Sequence, residues 1–335
     1  MTTSDLDRRF ETVLPPKRPG PAGKRATPRA FVFASDPQYP WTPASDLNLE
    51  QSAADRDQES AQLINQQYAN IADYRAHMGG TAIPVMINGD MTAYGHAWQR
   101  RVLYPILERH LQDNYYFGLG NHDYENNTTF NNGAARDSIL DLIDHHRERV
   151  DTMDISAITD RRQTHYSGSL AYSKNFGRVR LIQLNNEPTY ELGFQSGWAW
   201  PLEHRHRFDI SGSLQWLEGQ LQQAYDSGQI ILLNLHKPND WHGSWQERAN
   251  FRNLINHFRV DAVFAGHVHR EPGRWYRDLN SFGNAIPVYL SGSASQSTYL
   301  IAELNDSADS LSVRLVRGND WRSAEEIDQL QLYKP

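Results

Sequence analysis

The 335-residue chain contains no cysteine, which excludes disulfide bonds, thiolate zinc sites and cysteine nucleophiles. Any metal ion would therefore be held by histidine, carboxylate, amide or water ligands, a donor set that suits Mn, Fe, Mg or Zn. Apolar runs are short, and none approaches the roughly 20 residues of a membrane-spanning helix. The formal net charge is -7, so a general attraction to nucleic acid or anionic membranes is absent. We expect a soluble protein whose partner is not a nucleic acid.

Residues 1–29 lack a long apolar stretch and instead mix prolines with lysines and arginines. This composition predicts a disordered, basic, proline-rich leader. Because the segment lacks the apolar core of a secretory signal, we expect a cytoplasmic protein by default. Export without a Sec signal peptide stays open as an alternative.

The rest of the chain alternates short apolar runs with segments of helical periodicity. Five apolar runs have the length of buried strands and cover residues 29–34, 83–87, 115–119, 229–235 and 261–265. Helices are predicted over residues 48–77, 98–111, 134–149, 213–225 and 244–258. Together they predict an α/β fold, in which the loops at the carboxyl ends of strands build the site.

The remaining segments have weaker patterns. Further strands are predicted over residues 169–175, 178–185, 287–290, 298–304 and 311–316. Residues 124–169 outside the predicted helix are typical of loops. We interpret residues 187–213 as an aromatic-rich insertion near the site, and residues 319–335 as a C-terminal tail with only a short helical stretch.

The most informative stretch follows the third strand and reads Gly118-Leu119-Gly120-Asn121-His122-Asp123. Its asparagine offers a neutral oxygen ligand, its histidine can give or take a proton near neutral pH, and its aspartate can fix the tautomer of that histidine. Taken alone, the stretch could also be an ordinary turn, because Gly, Asn and Asp all favour turns.

Similar side chains follow the other four strands: Asp36 with Gln38, Asp90, His236, and His267 with His269. Each has an ordinary explanation, since Asp36 could cap a turn, His236 could be a packed strand-end residue and His267 could be part of a simple alternation. All of these explanations would have to hold together. A convergent set of metal ligands accounts for the five strand ends at once.

The order of these motifs resembles that of the calcineurin-like metallophosphoesterase superfamily, over roughly residues 31–316. The resemblance implies a two-sheet β-sandwich flanked by helices, within a metallophosphoesterase domain over residues 30–318. It also implies two divalent metal ions (Mn, Fe, Mg or Zn). In the first motif, Gln38 stands where the commoner family form has histidine.

The resemblance further implies a role for each matching residue. Asp90 would bridge both ions; Asp36, Gln38 and His269 would complete the first site, and Asn121, His236 and His267 the second. Two cations about 4 Å apart repel strongly, so a shared carboxylate and a shared hydroxide are needed to keep both bound. His122 would protonate the leaving oxygen or stabilise the transition-state charge, oriented by Asp123.

Two departures and two extra candidates complete the set. The amide of Gln38 is a weaker donor than imidazole, so the first site should prefer a harder ion such as Mn or Mg. Ala93 stands where many relatives carry an acid, which we interpret as secondary. His96 and Tyr124 lie close to the site loops in sequence and are candidate substrate contacts, with an ordinary structural role as the open alternative for both.

These patterns predict a metal-dependent phosphoesterase that hydrolyses a phosphomonoester or phosphodiester by attack of a metal-bridging hydroxide. Its substrate would be a phosphorylated small molecule, a nucleotide or a lipid headgroup. Two alternatives stay open. The chain could be a binding module that kept the fold with one ion or none, or a secreted effector or toxin that uses the hydrolase activity outside its producer.

Overall fold

The structure is a computed structural model that describes residues 26–124, 128, 132–197, 204–277 and 279–332, together with the backbone of Glu11–Val13. Most of the predicted leader lies outside the described residues, as do Trp198 and Trp200 of the aromatic-rich insertion. None of the described helices has the length and apolar character that crossing a bilayer requires.

The described helices follow the predicted ones closely, with two short additions. They are α1 (Pro43–Asp46), α2 (Ala53–Met78), α3 (Ala97–Leu111), α4 (Asn132–His146), α5 (Leu214–Asp226), α6 (Trp245–His257) and α7 (Leu279–Phe282). The α2 helix begins five residues later than predicted because Ser52 caps it by accepting the N–H of Asp55. The residues before Ser52 instead form α1 and a loop.

The strands are β1 (Glu11–Val13), β2 (Ala30–Ala34), β3 (Val85–Ile87), β4 (Tyr115–Phe117), β5 (Thr152–Met153), β6 (Ser156–Thr159), β7 (Gln163–Gly168), β8 (Tyr172–Phe176), β9 (Val179–Gln183), β10 (Leu192–Ser196), β11 (Arg205–Ile210), β12 (Ile230–Asn234), β13 (Ala262–Ala265), β14 (Gly273–Arg274), β15 (Val288–Leu290), β16 (Tyr299–Leu304), β17 (Ser310–Val316) and β18 (Glu325–Gln331). They form a six-stranded sheet in the order β18-β17-β16-β2-β3-β4 and a seven-stranded sheet in the order β14-β15-β13-β12-β9-β8-β5. A third, five-stranded sheet has the order β1-β6-β7-β11-β10.

The two larger sheets pack face to face around an apolar core. Phe33 of β2 stacks on Phe264 of β13 with ring centroids 3.6 Å apart. Along β12, Ile230 and Leu232 belong to the core between the sheets, whereas Ile231 packs with α5 and α6 on the outer side. Because both faces are buried, the strand is a continuous apolar run. The predicted α/β sandwich flanked by helices is confirmed.

The third sheet was not predicted, and the prediction of loop structure across residues 124–169 is wrong over β5, β6 and β7. The prediction that the tail has only a short helical stretch is also wrong, since β18 pairs antiparallel with β17. Half-exposed strands such as β6 and edge strands such as β18 carry polar and charged residues. Their sequences therefore lack the apolar runs that mark buried strands.

Two adjacent histidines of α4 cover the outer edge of β4, the strand that delivers the central motif. His146 Nε2 accepts the N–H of Phe117 at 3.1 Å, and its Nδ1 donates to the carbonyl of Leu142 at 2.7 Å. His145 Nε2 donates to the carbonyl of Tyr115 at 3.0 Å. Burial lowers the pKa of His145 to about 4 and holds the pKa of His146 well below its usual value. The edge of β4 thus depends on neutral imidazoles.

This arrangement predicts that the fold loses stability on mild acidification. Between about pH 6.5 and 4 the unfolded chain binds a proton at His145 that the folded chain does not, so the free energy of unfolding falls as pH falls. Urea unfolding at about pH 7.5 and about pH 5 measures the loss. We expect His145→Gln, which can still donate to Tyr115, to reduce that loss by roughly 1–2 kcal/mol. An equal loss in wild type, in His145→Gln and in the exposed control His257→Gln would contradict this.

Candidate metal centre

Five loops at the carboxyl ends of parallel strands converge on one cavity. β2, β3 and β4 run parallel in one sheet, and β12 and β13 run parallel in the other. The cavity has a volume of about 750 Å³. Predicted site residues in its wall are Gln38, Asp90, His122, His267 and His269. The sandwich therefore brings together side chains that lie more than 200 residues apart in sequence.

The second predicted ion site is assembled around Asp90. Ligand atoms of Asp90, His236 and His267 all lie within 4.8 Å of one another. The Nε2 atom of His236 is 3.2 Å from Asp90 Oδ2 and 3.2 Å from the Oδ1 of Asn121. Its Nδ1 atom donates to the carbonyl of Asn88 at 2.7 Å. With a cation held among these atoms, this bond would fix the tautomer whose Nε2 lone pair faces the ion.

The first predicted ion site lies beside it. Asp36 Oδ1 is 3.1 Å from His269 Nε2, and Asp36 Oδ2 accepts the N–H of His267 at 2.9 Å. The Oε1 atom of Gln38 is buried and has no hydrogen-bond partner among the described residues. A buried carbonyl oxygen without a donor is costly unless it meets a cation or a water. Gln38 is therefore suited to act as a neutral oxygen ligand.

Charges packed at short range shift several pKa values in this centre. Although burial opposes its charged form, the carboxylate of Asp90 raises the pKa of His236 to about 9. Burial and the neighbouring His236 charge lower the pKa of His267 to about 4. Burial and the charge of Asp90 raise the pKa of Asp123 to about 7. Opposed shifts among adjacent groups are typical of functional sites.

The backbone is strained at the same residues. Asp36, Gln38, Asp90 and His267 have φ angles of 50°, 41°, 49° and 70°, in the left-handed region that non-glycine residues rarely adopt. Such conformations cost on the order of 1–3 kcal/mol each and persist where the surrounding structure imposes them. Four of the twelve non-glycine residues with positive φ in the described part of the chain are thus predicted ligands, which supports a functional site in this region.

Gly120 of the central motif is required by space. A Cβ atom at this position would lie 2.2 Å from Asp90 Oδ1 and 2.7 Å from His236 Nε2. Any side chain here would displace two ligands. The glycine thus lets the backbone of the loop approach the metal centre closely.

His122 lines the cavity, and its backbone N–H donates to Asp90 Oδ1 at 2.8 Å. Its Nδ1 atom donates to the carbonyl of Ala93 at 2.9 Å, in the place where the sequence analysis expected Asp123. Asp123 is buried and accepts the N–H groups of Gly120, Met91 and Thr92 at 3.0–3.1 Å. Asp123 therefore fixes the loop that carries His122. The catalytic roles of both residues stay predictions.

The two predicted substrate contacts lie outside the cavity wall. His96 directly precedes α3, and its ring packs edge-on against Tyr94 with centroids 6.0 Å apart. Tyr124 is fully buried and packs edge-on against Tyr190 at 5.2 Å. Contact of either side chain with substrate stays a prediction.

Sequence reasoning missed Asp46 and Trp41, which both line the cavity. Asp46 Oδ1 accepts hydrogen bonds from His269 Nδ1 at 2.6 Å and from Trp41 Nε1 at 2.7 Å. The ring of Trp41 lies edge-on to both His122 and His269, at centroid distances of 5.4 and 6.1 Å. Apart from the bond between Trp41 and Asp46, these contacts join the segment between β2 and α2 to loops far along the chain, so no spacing in the sequence indicates them.

The model of the calcineurin-like phosphoesterase family matches residues 31–271, more than half of the chain. The chain belongs to the calcineurin-like phosphoesterase family. Comparison with solved structures finds "GAP50 the anchor in the inner membrane complex of Plasmodium", at 12% identity and a TM-score of 0.47, covering 91% of this chain and 89% of that chain. Comparison with curated proteins finds no match. The family assignment rests on the family model alone.

Calcineurin-like phosphoesterases usually bind divalent metal ions, and this chain has side chains that can serve as ligands for such ions. Asp90, His236 and His267 supply one carboxylate and two imidazoles within a space that one cation can fill. The unpartnered oxygen of Gln38 and the pair of Asp36 with His269 offer a further set of ligand atoms beside them. The same site contains no thiol, so a hard or borderline ion is favoured.

Proposed function

We propose that this calcineurin-like phosphoesterase hydrolyses a phosphomonoester or phosphodiester with the help of two divalent metal ions. The observation that carries the proposal is the convergence of Asp90, His236 and His267 within 4.8 Å, beside a cavity whose wall includes Asp90, His267 and His122. The substrate would be a phosphorylated small molecule, a nucleotide or a lipid headgroup. All three present a phosphate that fits a cavity of about 750 Å³.

Each predicted ligand has a part in this proposal. Asp90 would be shared between the ions, Asp36, Gln38 and His269 would hold one of them, and Asn121, His236 and His267 the other. When bound, the ions would polarise the phosphoryl oxygens and make a water molecule acidic enough to attack phosphorus near neutral pH.

The chain's own side chains would then manage the leaving group. His122 would donate a proton to the departing oxygen, and its hydrogen bond to the carbonyl of Ala93 would hold the ring in position for this transfer. Arg270, also in the cavity wall, would offset negative charge on the bound phosphate.

The proposal is tested with para-nitrophenyl phosphate and bis-para-nitrophenyl phosphate as matched monoester and diester substrates. We expect saturable hydrolysis of at least one of them in Mn²⁺, with loss of turnover on chelation and recovery on adding metal back. The ratio of the two rates assigns monoester or diester preference. No hydrolysis of either compound, by protein shown to contain metal, would contradict the proposal.

Gln38 motivates a second candidate function, a binding module that retains one ion. Its neutral amide binds a cation more weakly than an imidazole would, so the first ion site is the one expected to have the lower affinity. Elemental analysis separates the two candidates. About one ion per chain, without a gain on adding Mn²⁺ and without hydrolysis, favours the binding module; two ions with turnover favour the hydrolase.

A further inference from the structure

Asp46, the last residue of α1, is a buried acid that contacts no substrate atom in the proposed mechanism. Its side chain is only 4% exposed. Its Oδ1 atom accepts from His269 and Trp41, and its Oδ2 atom accepts from Ser295 Oγ at 2.5 Å and from Gln296 Nε2 at 2.6 Å. Four short hydrogen bonds to one carboxylate hold it in a single orientation. Three separate loops, those after β2, β13 and β15, meet at this group.

The bond to His269 determines which ring nitrogen faces the predicted ion. Because Nδ1 of His269 donates to Asp46 at 2.6 Å, the lone pair of the neutral ring is on Nε2, which lies 3.1 Å from Asp36 Oδ1. A carboxylate behind a ligating imidazole fixes its orientation and increases its strength as a donor. In the equivalent place behind His236, the described acceptor is the neutral carbonyl of Asn88. The charged hydrogen-bond acceptor, Asp46, thus lies behind the histidine of the first metal site, which also contains the weak ligand Gln38.

We propose that Asp46 is a positioning residue of the first metal site, which strengthens His269 as a ligand and so offsets the weak donor Gln38. The proposal rests on the metal centre of the proposed function, but it concerns ion affinity and makes no use of turnover. It assigns a role to an acid outside all five motif positions. It also explains how a site with an amide ligand can still hold its ion.

The test compares Asp46→Asn with wild type by titrating metal-free protein with Co²⁺ and Mn²⁺, followed by the visible absorption of Co²⁺ and by elemental analysis. Asparagine keeps the shape and can still accept from His269, but it lacks the charge. We expect one of two ions to bind roughly 10–100-fold more weakly and the other to be unchanged. Wild-type affinity at both sites in this variant would overturn the proposal.

Asp240→Asn is the matched control for charge. Asp240 also lines the cavity, and its carboxylate accepts from the neighbouring Asn239. This variant removes one negative charge from the cavity and leaves the His269 contact intact. A weakening as large as that of Asp46→Asn would show that general charge, and not positioning, sets the affinity, and would overturn the proposal.

Gln38→His in the Asp46→Asn background separates positioning from folding. An imidazole at position 38 should restore the affinity of the weakened site, because it replaces the weak donor directly. Equal loss of both ions without such recovery would indicate a structural role and overturn the proposal. A wild-type protein that binds two ions but hydrolyses no ester would leave the role of Asp46 standing and remove only the hydrolase function. A wild type that binds no ion would remove both.

Discussion

Asp90→Asn is expected to lower phosphoester turnover on the order of 10³-fold and to lower the metal content of the protein. Asp90 is 1% exposed, and its Oδ2 atom lies 3.2 Å from His236 Nε2. In the proposed mechanism its carboxylate would help hold both ions. A neutral amide of the same shape would leave two buried cations without the anion that offsets their mutual repulsion. The loss should therefore appear in binding and in turnover together.

Elemental analysis and turnover of the better nitrophenyl substrate measure this effect in the same preparation. Asp113→Asn is the matched control, because the Asp113 side chain is 99% exposed and its ion pair with Arg149 is long, at 3.8 Å. Circular dichroism shows whether Asp90→Asn is folded. A folded Asp90→Asn protein with wild-type ion content and turnover would contradict the assignment of Asp90 as the shared ligand.

The centre of the fold could be predicted from sequence because two constraints coincide there. Strands such as β12 and β13 are buried on both faces, so they are short apolar runs that are easily recognised. The polar residue that ends such a run must lie at the edge of the sheet. His236 follows β12 closely and His267 follows β13, which is why sequence position alone placed both in one site.

The outer parts of the fold could not be predicted in the same way. Strand β7 has mostly half-buried residues and pairs with β11, about 40 residues further along the chain. Neither strand is apolar enough to be distinguished from loop. β18 is a charged edge strand, and charged edges protect sheets from pairing with other molecules. In β18, the charged residues that prevented prediction of a strand thus also protect the edge of the sheet.

The groups that form hydrogen bonds to the predicted site residues could not be predicted from the sequence either. The carbonyl of Ala93 is the partner of His122, but any residue has a carbonyl at this position. Asp46 meets His269 across 223 residues of sequence. Ligands obey a spacing relative to their strands, whereas supporting residues obey only the packing of the finished fold. Local sequence therefore indicates candidate ligands, whereas the groups that support them are determined by contacts distant in sequence.

Removal of His122 tests the proposed chemistry apart from ion binding. His122→Asn is expected to reduce turnover of an alkyl phosphate by about 10²- to 10⁴-fold, the usual range for losing a general acid. The loss should be much smaller for para-nitrophenyl phosphate, because nitrophenolate leaves readily without a proton. Metal content should stay at the wild-type value, since the contact of this residue with Asp90 is made by its backbone N–H. Turnover of both substrates, normalised to bound metal, gives the comparison.

The dependence on the leaving group distinguishes proton donation from charge stabilisation by the same ring. If the ring only stabilised charge on the phosphoryl group, its removal would lower the turnover of both substrates equally, because that charge develops whichever group leaves. His257→Asn is the matched control, since His257 is exposed at the end of α6. If His122→Asn lowered the turnover of both substrates equally, His122 would act as an electrostatic stabiliser and not as a proton donor. No loss for either would exclude His122 from the reaction, despite its place in the cavity wall.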